Sequence, residues 1–262
     1  MDLGLNGKRA VVLAASSGLG RATATELARE GARVVLCSRD EARAQEAAAA
    51  IAAETGGDVQ GRQADVSDAA SLTAFVEDAA ATLGGVDILV CNAGGPPPGN
   101  FQSTAEDAWD KAYQLTLQSV VRSVRVALPH LQRSDAPAVL MTASSSVVQG
   151  IPNLLLSNVF RPAVRALAKH LAEELAPDGV RVNVLSPGRV HTPRVDQLDQ
   201  AKAERSGQSF EAVRADAVAK IPLGRLGEPA EFGRVGAFLC SPAASYVTGE
   251  HLLVDGGLVR GM

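Results

Sequence analysis

Short runs of β-branched and apolar residues alternate with longer alanine- and leucine-rich stretches over nearly the whole chain. Apolar runs of this kind are typical of strands that are buried on both faces, and the intervening stretches have the length of helices. This alternation produces βαβ units. The sequence therefore predicts an α/β fold, a single-domain Rossmann fold with a doubly wound seven-stranded parallel sheet and helices on both faces. The predicted strands are Arg9–Leu13, Arg33–Cys37, Asp58–Gln63, Val86–Cys91, Ala138–Thr142, Val180–Leu185 and His251–Val254.

The predicted helices connect these strands, and one late segment interrupts the pattern. Four helices are predicted with both ends: Gly20–Glu30, Asp40–Glu54, Asp68–Leu83 and Ala105–Gln132. A fifth helix is predicted to end near Ala176. Residues Pro193–Ile221 break into short helical pieces that carry many charges. An insertion after a late strand lies at the carboxyl ends of the strands, where α/β proteins bind ligands. We predict a substrate lid over residues 193–221 within one domain spanning residues 1–262; a plain surface excursion is the alternative.

Composition excludes several classes of function. With 46% hydrophobic and 21% charged residues the chain is typical of globular proteins, and a net charge of −4 provides no basic stripe for nucleic acid. Cys37, Cys91 and Cys240 are far apart and fit no metal-binding spacing, which favours reduced core residues and no metal. No apolar run approaches the ~18 residues of a membrane span, and no apolar leader begins the sequence. We expect a cytoplasmic protein that acts on a small molecule.

The segment Leu13–Gly20 joins the first strand directly to the first helix. Glycines there let the backbone approach a pyrophosphate, and the helix N-terminus supplies N–H donors and partial positive charge. This pattern alone is a weak signal, because a tight strand–helix turn has the same composition. The segment is therefore only a candidate cofactor loop.

The end of the second strand bears on cofactor choice. An acid there would bind a ribose 2′-hydroxyl and repel a 2′-phosphate, but the strand ends in Cys37, Ser38 and Arg39. Ser38 can donate one hydrogen bond, and the Arg39 guanidinium can make a bidentate pair with phosphate. The sequence favours NADP(H) over NAD(H). The alternative is that Arg39 only pairs with Asp40 or Glu41.

Four stretches together resemble the short-chain dehydrogenase/reductase family over essentially the whole chain: Ala15–Ala22, Asn92–Gly94, Arg181–Gly188 and Ile221–Gly257. The last stretch is most similar to bacterial oxoacyl-carrier-protein reductases. The resemblance implies that the cofactor-contacting positions, including those at the end of the second strand, are Ala14, Ser16, Ser17, Leu19, Ser38, Arg39, Asp65, Val66, Asn92, Ala93, Gly94, Arg161, Pro187, Gly188, Val190 and Thr192. One departure is Ala14, which replaces the first glycine of the family pattern and should shift or loosen the cofactor.

The resemblance also exposes an altered catalytic site. In the family a tyrosine protonates the carbonyl oxygen, a lysine four residues later lowers its pKa, a serine orients the substrate and an asparagine supports a proton relay. Here the corresponding positions hold Ser157, Arg161, Ser144 and Thr116. Arg161 can stabilise a developing alkoxide but cannot release a proton at working pH, and Ser157 is better suited to donate a hydrogen bond.

No other residue is an obvious replacement for the tyrosine. Tyr246 is remote from the site by the family pattern, and Tyr113 is better explained by packing on a helix face. His191 titrates in a suitable range, but a solvated loop histidine is the simpler interpretation.

Three functions remain open. The chain could reduce a carbonyl, either a ketone or an oxoacyl-like substrate, with water delivered by Ser144 and Ser157 as the proton source. It could reduce an imine or iminium that needs no enzyme acid. It could bind NADP(H) without turnover, as a sensor or subunit. The intact serine at position 144 and the basic residue at position 161 favour an enzyme.

The resemblance further implies a homotetramer, or a homodimer, built on the helix over Ala105–Gln132 and the helix that ends near Ala176.

Overall fold

Seven parallel strands form one sheet in the computed structural model, which describes residues 2–260. The strand order is β3-β2-β1-β4-β5-β6-β7. The strands are β1 (Arg9–Val12), β2 (Arg33–Ser38), β3 (Val59–Gln63), β4 (Ile88–Cys91), β5 (Ala138–Thr142), β6 (Arg181–Pro187) and β7 (His251–Val254).

Helices cover both faces of this sheet. They are α1 (Gly18–Arg29), α2 (Glu41–Thr55), α3 (Ala69–Leu83), α4 (Glu106–Tyr113), α5 (Ser119–Leu131), α6 (Leu155–Glu174), α7 (Pro193–Ser206), α8 (Phe210–Val218) and α9 (Pro229–Cys240). Successive strand residues point to opposite faces, so each face has its own apolar core. One core holds α3, α5 and α6 against residues such as Val11 and Leu89, and the other holds α1, α2 and α9 against Val12 and Val90. The predicted doubly wound fold is confirmed.

The strand order reverses between β1 and β4. These strands are hydrogen-bonded neighbours, although β1 is followed along the chain by β2, which lies on its other side. At such a switch point the connections diverge to opposite faces of the sheet and leave a crevice at the carboxyl ends of the strands. The loops after β1, β4 and β5 border this crevice, so the fold places there most of the residues that the sequence singles out.

The prediction of one helix over Ala105–Gln132 is wrong in one respect. The segment Gln114–Gln118 is a π-helical turn that separates α4 from α5. A π turn adds one residue to a helix without changing its polar and apolar composition, so a pattern with a period of 3.6 residues does not detect it. Such turns are frequent at functional sites, and this one contains Thr116.

Two strand boundaries differ from the prediction by two residues, and the others differ by one residue or coincide. β4 begins at Ile88, because Asp87 turns its carboxylate to the Arg9 side chain ahead of the strand. β6 continues to Pro187, because its last residues pair with β7. Among residues 2–260, no helix is both long and apolar enough to cross a membrane.

Candidate active site

The loop after β1 is held in an unusual backbone conformation. Ala14 has a φ of 48°, a left-handed conformation that favours glycine. The Asn92 amide fixes this loop by donating to the carbonyl oxygens of Leu13 (3.3 Å) and Ala14 (3.0 Å). Gly20 is required beneath it, because a Cβ there would lie 2.6 Å from the Asn92 amide nitrogen. The family glycine is thus replaced at a position whose backbone still has the geometry of glycine, and Asn92 acts as a support for the loop.

A hydrogen bond between two hydroxyls joins the loop after β1 to the end of β2. Ser16 Oγ donates to Ser38 Oγ at 3.1 Å, and Ser38 is buried. Arg39 is exposed and lines an open concavity of about 630 Å³, together with Asp40, Glu41, Ala42, Gln45 and Gln63.

The two acids beside Arg39 are occupied elsewhere. Asp40 caps α2 by accepting from the Arg43 N–H at 2.9 Å, and Glu41 accepts from Gln45 at 3.1 Å. Within residues 2–260, Arg39 has no carboxylate oxygen within 4.0 Å, so the surface pairing that the sequence left open does not occur. The Arg39 guanidinium is available to a ligand.

The turn after β3 is ordered by its own polar side chains. Asp65 Oδ1 accepts from the Ser67 N–H at 2.9 Å and from the Ser67 hydroxyl at 2.6 Å, and Val66 is buried beside it. This turn lies at the same edge of the sheet as Ser38, because Ser38 is paired with Gln63. Asp65 and Val66, which the resemblance assigns to the cofactor, therefore lie at the same edge of the sheet as Ser38.

The segment after β6 faces the first loop. Gly188 packs directly on Asp255, where a Cβ would approach to 2.5 Å, so only glycine lets Pro187 and Gly188 lie against the C-terminal turn. Thr192 caps α7 by accepting from the Val195 N–H at 3.4 Å. Its methyl carbon lies 3.8 Å from the position of a Cβ on Gly18. Thr192 thus brings the start of α7 against the N-terminus of α1.

Arg161 is the most unusual group in the crevice. It is buried within α6 and donates through Nη1 to the Thr142 carbonyl at 2.6 Å, and through Nη2 to the carbonyls of Ala93 (3.4 Å) and Gly94 (3.5 Å). Burial, and then the neighbouring charge of Arg194, lower the pKa of Arg161 to about 10. Arg161 therefore fastens α6 to the ends of β4 and β5 as a cation whose hydrogen-bond partners within residues 2–260 are all neutral carbonyls.

The three hydroxyls of the predicted catalytic set lie on α6 or on segments that pack against it. Ser144 follows β5, and its Oγ accepts from the Ser146 N–H at 3.1 Å, which leaves its own O–H free to donate. Ser157 is one helical turn before Arg161, and its carbonyl accepts from Ser146 Oγ at 3.5 Å. The π-helical turn packs on α6 and carries Thr116, whose buried Oγ1 has no hydrogen-bond partner in the part of the chain that the structure describes.

The other candidate acids are in packing or surface positions. Tyr246 is fully exposed. Tyr113 packs on Phe160 with ring centroids 6.1 Å apart, and its hydroxyl accepts from Gln118. His191 has a half-exposed side chain that lies 3.8 Å from Asp196. Each of these residues already has a packing or surface role.

The predicted lid segment forms two helices that are tied to the body of the protein. Asp199, on α7, is buried and accepts from Arg189, which follows β6, and from Arg214 of α8 at 2.6 Å. Arg214 also donates to Asp196 at 2.5 Å. These charges, which the sequence shows only as a charged insertion, form one hydrogen-bonded network.

Arg194 is a site residue that the sequence analysis missed. It stands in the first turn of α7, and its Nη2 donates to the Pro96 carbonyl in the loop after β4 at 2.6 Å. Burial lowers the pKa of Arg194. The one signal in the sequence was its place two residues after Thr192, which caps the helix.

The sheet and the crevice at its switch point define a Rossmann-type α/β protein. The chain belongs to the short-chain dehydrogenase/reductase family, and the family model described as enoyl-(acyl carrier protein) reductase matches residues 13–259. Dehydrogenase/reductase SDR family member 4 of Sus scrofa is 35% identical over 97% of this chain and 88% of its own length.

Two solved structures are similar over nearly the whole chain. L-sorbose reductase from Gluconobacter frateurii, complexed with NADPH and L-sorbose, is 32% identical with a TM-score of 0.94 and covers 100% of both chains. An NADPH-bound short chain oxidoreductase from Pseudomonas aeruginosa PAO1, which contains an atypical catalytic center, is 38% identical with a TM-score of 0.86 and covers 97% of both chains. The predicted family is confirmed.

Proposed function

We propose that the protein is an NADP(H)-dependent oxidoreductase of the short-chain type that reduces a carbonyl compound with a proton source other than tyrosine. The observation that carries this proposal is the attachment of the buried Arg161 to the segments after β4 and at the end of β5, with Ser157 one helical turn before it and Ser144 just after its partner Thr142. The NADPH complexes of two relatives support the cofactor.

The crevice fits this cofactor. A Cβ built on Gly94 would have no heavy atom within 4 Å, and a Cβ built on Gly18 would have only atoms of the Thr192 side chain. Both loops therefore leave room for a ligand. The N-terminus of α1 offers its backbone N–H groups to a pyrophosphate. At the far end Ser38 and the uncommitted Arg39 suit a 2′-phosphate, and no acid stands at the end of β2 to repel it. When bound, NADPH supplies the hydride.

The residues around Arg161 supply binding and charge stabilisation. With a pKa of about 10, Arg161 stays cationic near neutral pH, so it stabilises negative charge on the reacting oxygen without giving up its proton. Ser144 and Ser157 orient that oxygen by donating hydrogen bonds. The buried Thr116 hydroxyl needs a partner, and water is the partner that such sites ordinarily hold. We propose that the proton comes from water held by these hydroxyls.

NADPH oxidation in the presence of ketones, oxoacyl thioesters and cyclic imines tests the proposal. We expect turnover with a carbonyl substrate, and Ser157→Ala should lower kcat more than it raises KM, because the hydroxyl acts on the reacting oxygen. Turnover of imines only would assign the alternative reaction, in which the substrate arrives protonated. Tight NADPH binding without turnover of either class would contradict both enzymatic functions.

The double variant Ser157→Tyr with Arg161→Lys is the sharper probe. It restores the side chains that the family places at these two positions. A positioned general acid contributes roughly 10²–10⁴-fold to rate, so a gain of ketone reduction would indicate that the pocket retains the substrate geometry of the family. The single variant Arg161→Lys is the matched control, because it keeps the charge without adding an acid.

We also propose the quaternary structure that the resemblance implies, a homotetramer built on α4–α5 and α6. Light scattering of the purified protein tests it, and a monomer would contradict it.

A further inference from the structure

Two guanidinium groups meet on one short loop after β4. Arg161 reaches the carbonyls of Ala93 and Gly94 from α6, and Arg194 reaches the carbonyl of Pro96 from α7 at 2.6 Å. Arg194 also lies against Gly95, with Nε and Nη2 both 3.1 Å from the position of a Cβ there. Since the four loop residues are consecutive, the two cations are neighbours in the crevice.

Neither cation is neutralised by the protein. Over residues 2–260, no carboxylate oxygen lies within 4.0 Å of Arg161 or Arg194. The nearest acids on the lid helix, Asp196 and Asp199, are already occupied by Arg189 and Arg214. Burial lowers the pKa of both arginines, and the charge of Arg194 further lowers that of Arg161. Like charges that are buried and unpaired are costly, and a bound anion is what would relieve them.

The two guanidinium groups have N–H donors left for such an anion. A guanidinium has five N–H donors. Arg194 uses one recorded hydrogen bond, and Arg161 uses three. The remaining donors of two adjacent guanidinium groups suit a carboxylate, which accepts paired N–H donors in one plane.

The position of the pair indicates which molecule would carry the anion. The pyrophosphate of the cofactor is expected at the N-terminus of α1, which follows β1. Arg161 bonds to the end of β5, two strands away in the order β1-β4-β5 and thus roughly 10 Å from β1 at ~4.8 Å per strand. Ser144 and Ser157, which face the reacting carbonyl in the proposed function, lie on the Arg161 side. An oxyanion in contact with both arginines therefore belongs to the substrate.

We propose that Arg161 and Arg194 form a carboxylate-binding site, and that the substrate is a small oxo acid whose carboxylate lies beside the carbonyl to be reduced. Arg194 is the specificity-determining residue, because it comes from the lid helix α7 and contacts no other predicted catalytic group. This inference rests on the proposed function for the reacting carbonyl, but the binding of the anion can be measured without turnover.

The test compares oxamate, which has a carboxylate, with oxamide, its neutral analogue. Each is titrated into the NADPH-saturated protein at constant ionic strength, and binding is followed by NADPH fluorescence and by the shift in Tm. We expect oxamate to bind and oxamide not to bind. Arg194→Gln should weaken oxamate binding roughly tenfold or more, since it removes a charge-assisted contact, while Arg194→Lys should lose less. NADPH affinity should change little in both variants.

Arg205→Gln is the matched control. It removes the same charge from the same helix, but Arg205 is exposed and far along α7, so oxamate binding should not change. Equal binding of oxamate and oxamide, or no binding of oxamate, would overturn the proposal. A loss of NADPH affinity in Arg194→Gln with oxamate binding intact would assign Arg194 to the pyrophosphate and also overturn it. Oxamate binding without NADPH oxidation of any substrate would leave the anion site standing and contradict only the reductase function.

Discussion

Replacing Arg161 by methionine should leave the cofactor-free protein as stable as before or make it more stable, although Arg161 is buried and makes three hydrogen bonds. The pKa of Arg161 falls from the ordinary arginine value to about 10, chiefly through burial. One pKa unit corresponds to about 1.4 kcal/mol, so the charge costs the folded state ~3 kcal/mol. The sign follows from linkage: both states are protonated near neutral pH, so the whole cost applies there and is relieved only as the pH rises through about 10.

Replacing Arg161 by methionine also removes hydrogen bonds, and their loss offsets part of the free energy gained by removing the buried charge. The Thr142 carbonyl loses its donor at 2.6 Å, and an unpaired carbonyl costs about 1–3 kcal/mol. The contacts to Ala93 and Gly94, at 3.4 and 3.5 Å, are too long to add much. Methionine fills a similar volume. The net expectation is a change between zero and about 2 kcal/mol in favour of the folded state.

Arg181 is the matched control for this prediction. It is also buried and also donates to backbone carbonyls, at 2.8 Å to Leu239 and 2.9 Å to Ser241. These carbonyls stand at the C-terminus of α9, where the helix dipole favours a cation. Arg181→Met should therefore destabilise the protein, by about 2–4 kcal/mol. Urea denaturation of both variants at neutral pH and without cofactor measures the difference. If Arg161→Met loses as much stability as Arg181→Met, then the reasoning about its uncompensated charge is refuted.

Three further perturbations follow from the geometry. Ala14→Gly removes the strain of a left-handed alanine but increases the conformational entropy of the unfolded chain, so the free energy of unfolding should change by less than ~1 kcal/mol. NADPH should bind a few-fold more tightly to this variant, and weaker NADPH binding in a titration would contradict this. Arg39→Ala should weaken NADPH binding roughly 10–100-fold and leave NADH binding unchanged, and an equal loss for both cofactors would remove Arg39 from the 2′-phosphate site. Burial alone would raise the pKa of Asp87, but hydrogen bonds from Arg9 and Ser134 lower it. The Asp87 carboxylate therefore stabilises the fold above its unfolded pKa of about 4, and this contribution is lost as the pH falls through the lowered pKa. Asp87→Asn should thus cost about 1–3 kcal/mol at neutral pH, with a difference in denaturation midpoint that shrinks in acid; a constant difference would contradict this assignment.

The sheet could be predicted from the sequence because each strand is a short apolar run that is buried on both faces. Most of the predicted boundaries lie within one or two residues of the observed ones, and His251–Val254 and Ala138–Thr142 coincide with them. The two strand boundaries that differ by two residues, at Asp87 and Pro187, depend on pairing between segments distant in the chain. Local composition carries no information about such pairing.

The candidate site was only partly predictable. Motif positions located Ser144, Ser157 and Arg161, but they could not show that the guanidinium is buried without a carboxylate. The backbone angle of Ala14 and the π turn around Thr116 were equally invisible, because each leaves the residue pattern unchanged. In the sequence, Arg194 is one of many charges in the predicted lid segment. Its burial arises from the approach of α7 to the loop after β4, which is a tertiary contact.

The unfavourable features of this fold are concentrated at one edge of the sheet. Ala14 adopts a left-handed backbone after β1, and within residues 2–260 the buried Thr116 hydroxyl has no hydrogen-bond partner and Arg161 and Arg194 have no carboxylate oxygen within 4.0 Å. At the opposite edge Arg9 is paired with Asp87, and the buried Arg181 donates to carbonyls at the C-terminus of α9, where the helix dipole favours a cation. Each such feature costs on the order of 1–3 kcal/mol and contributes nothing to the core. A chain that had lost ligand binding would not be expected to keep all of these unfavourable features at one edge of the sheet. Their clustering therefore favours a working ligand site despite the missing tyrosine.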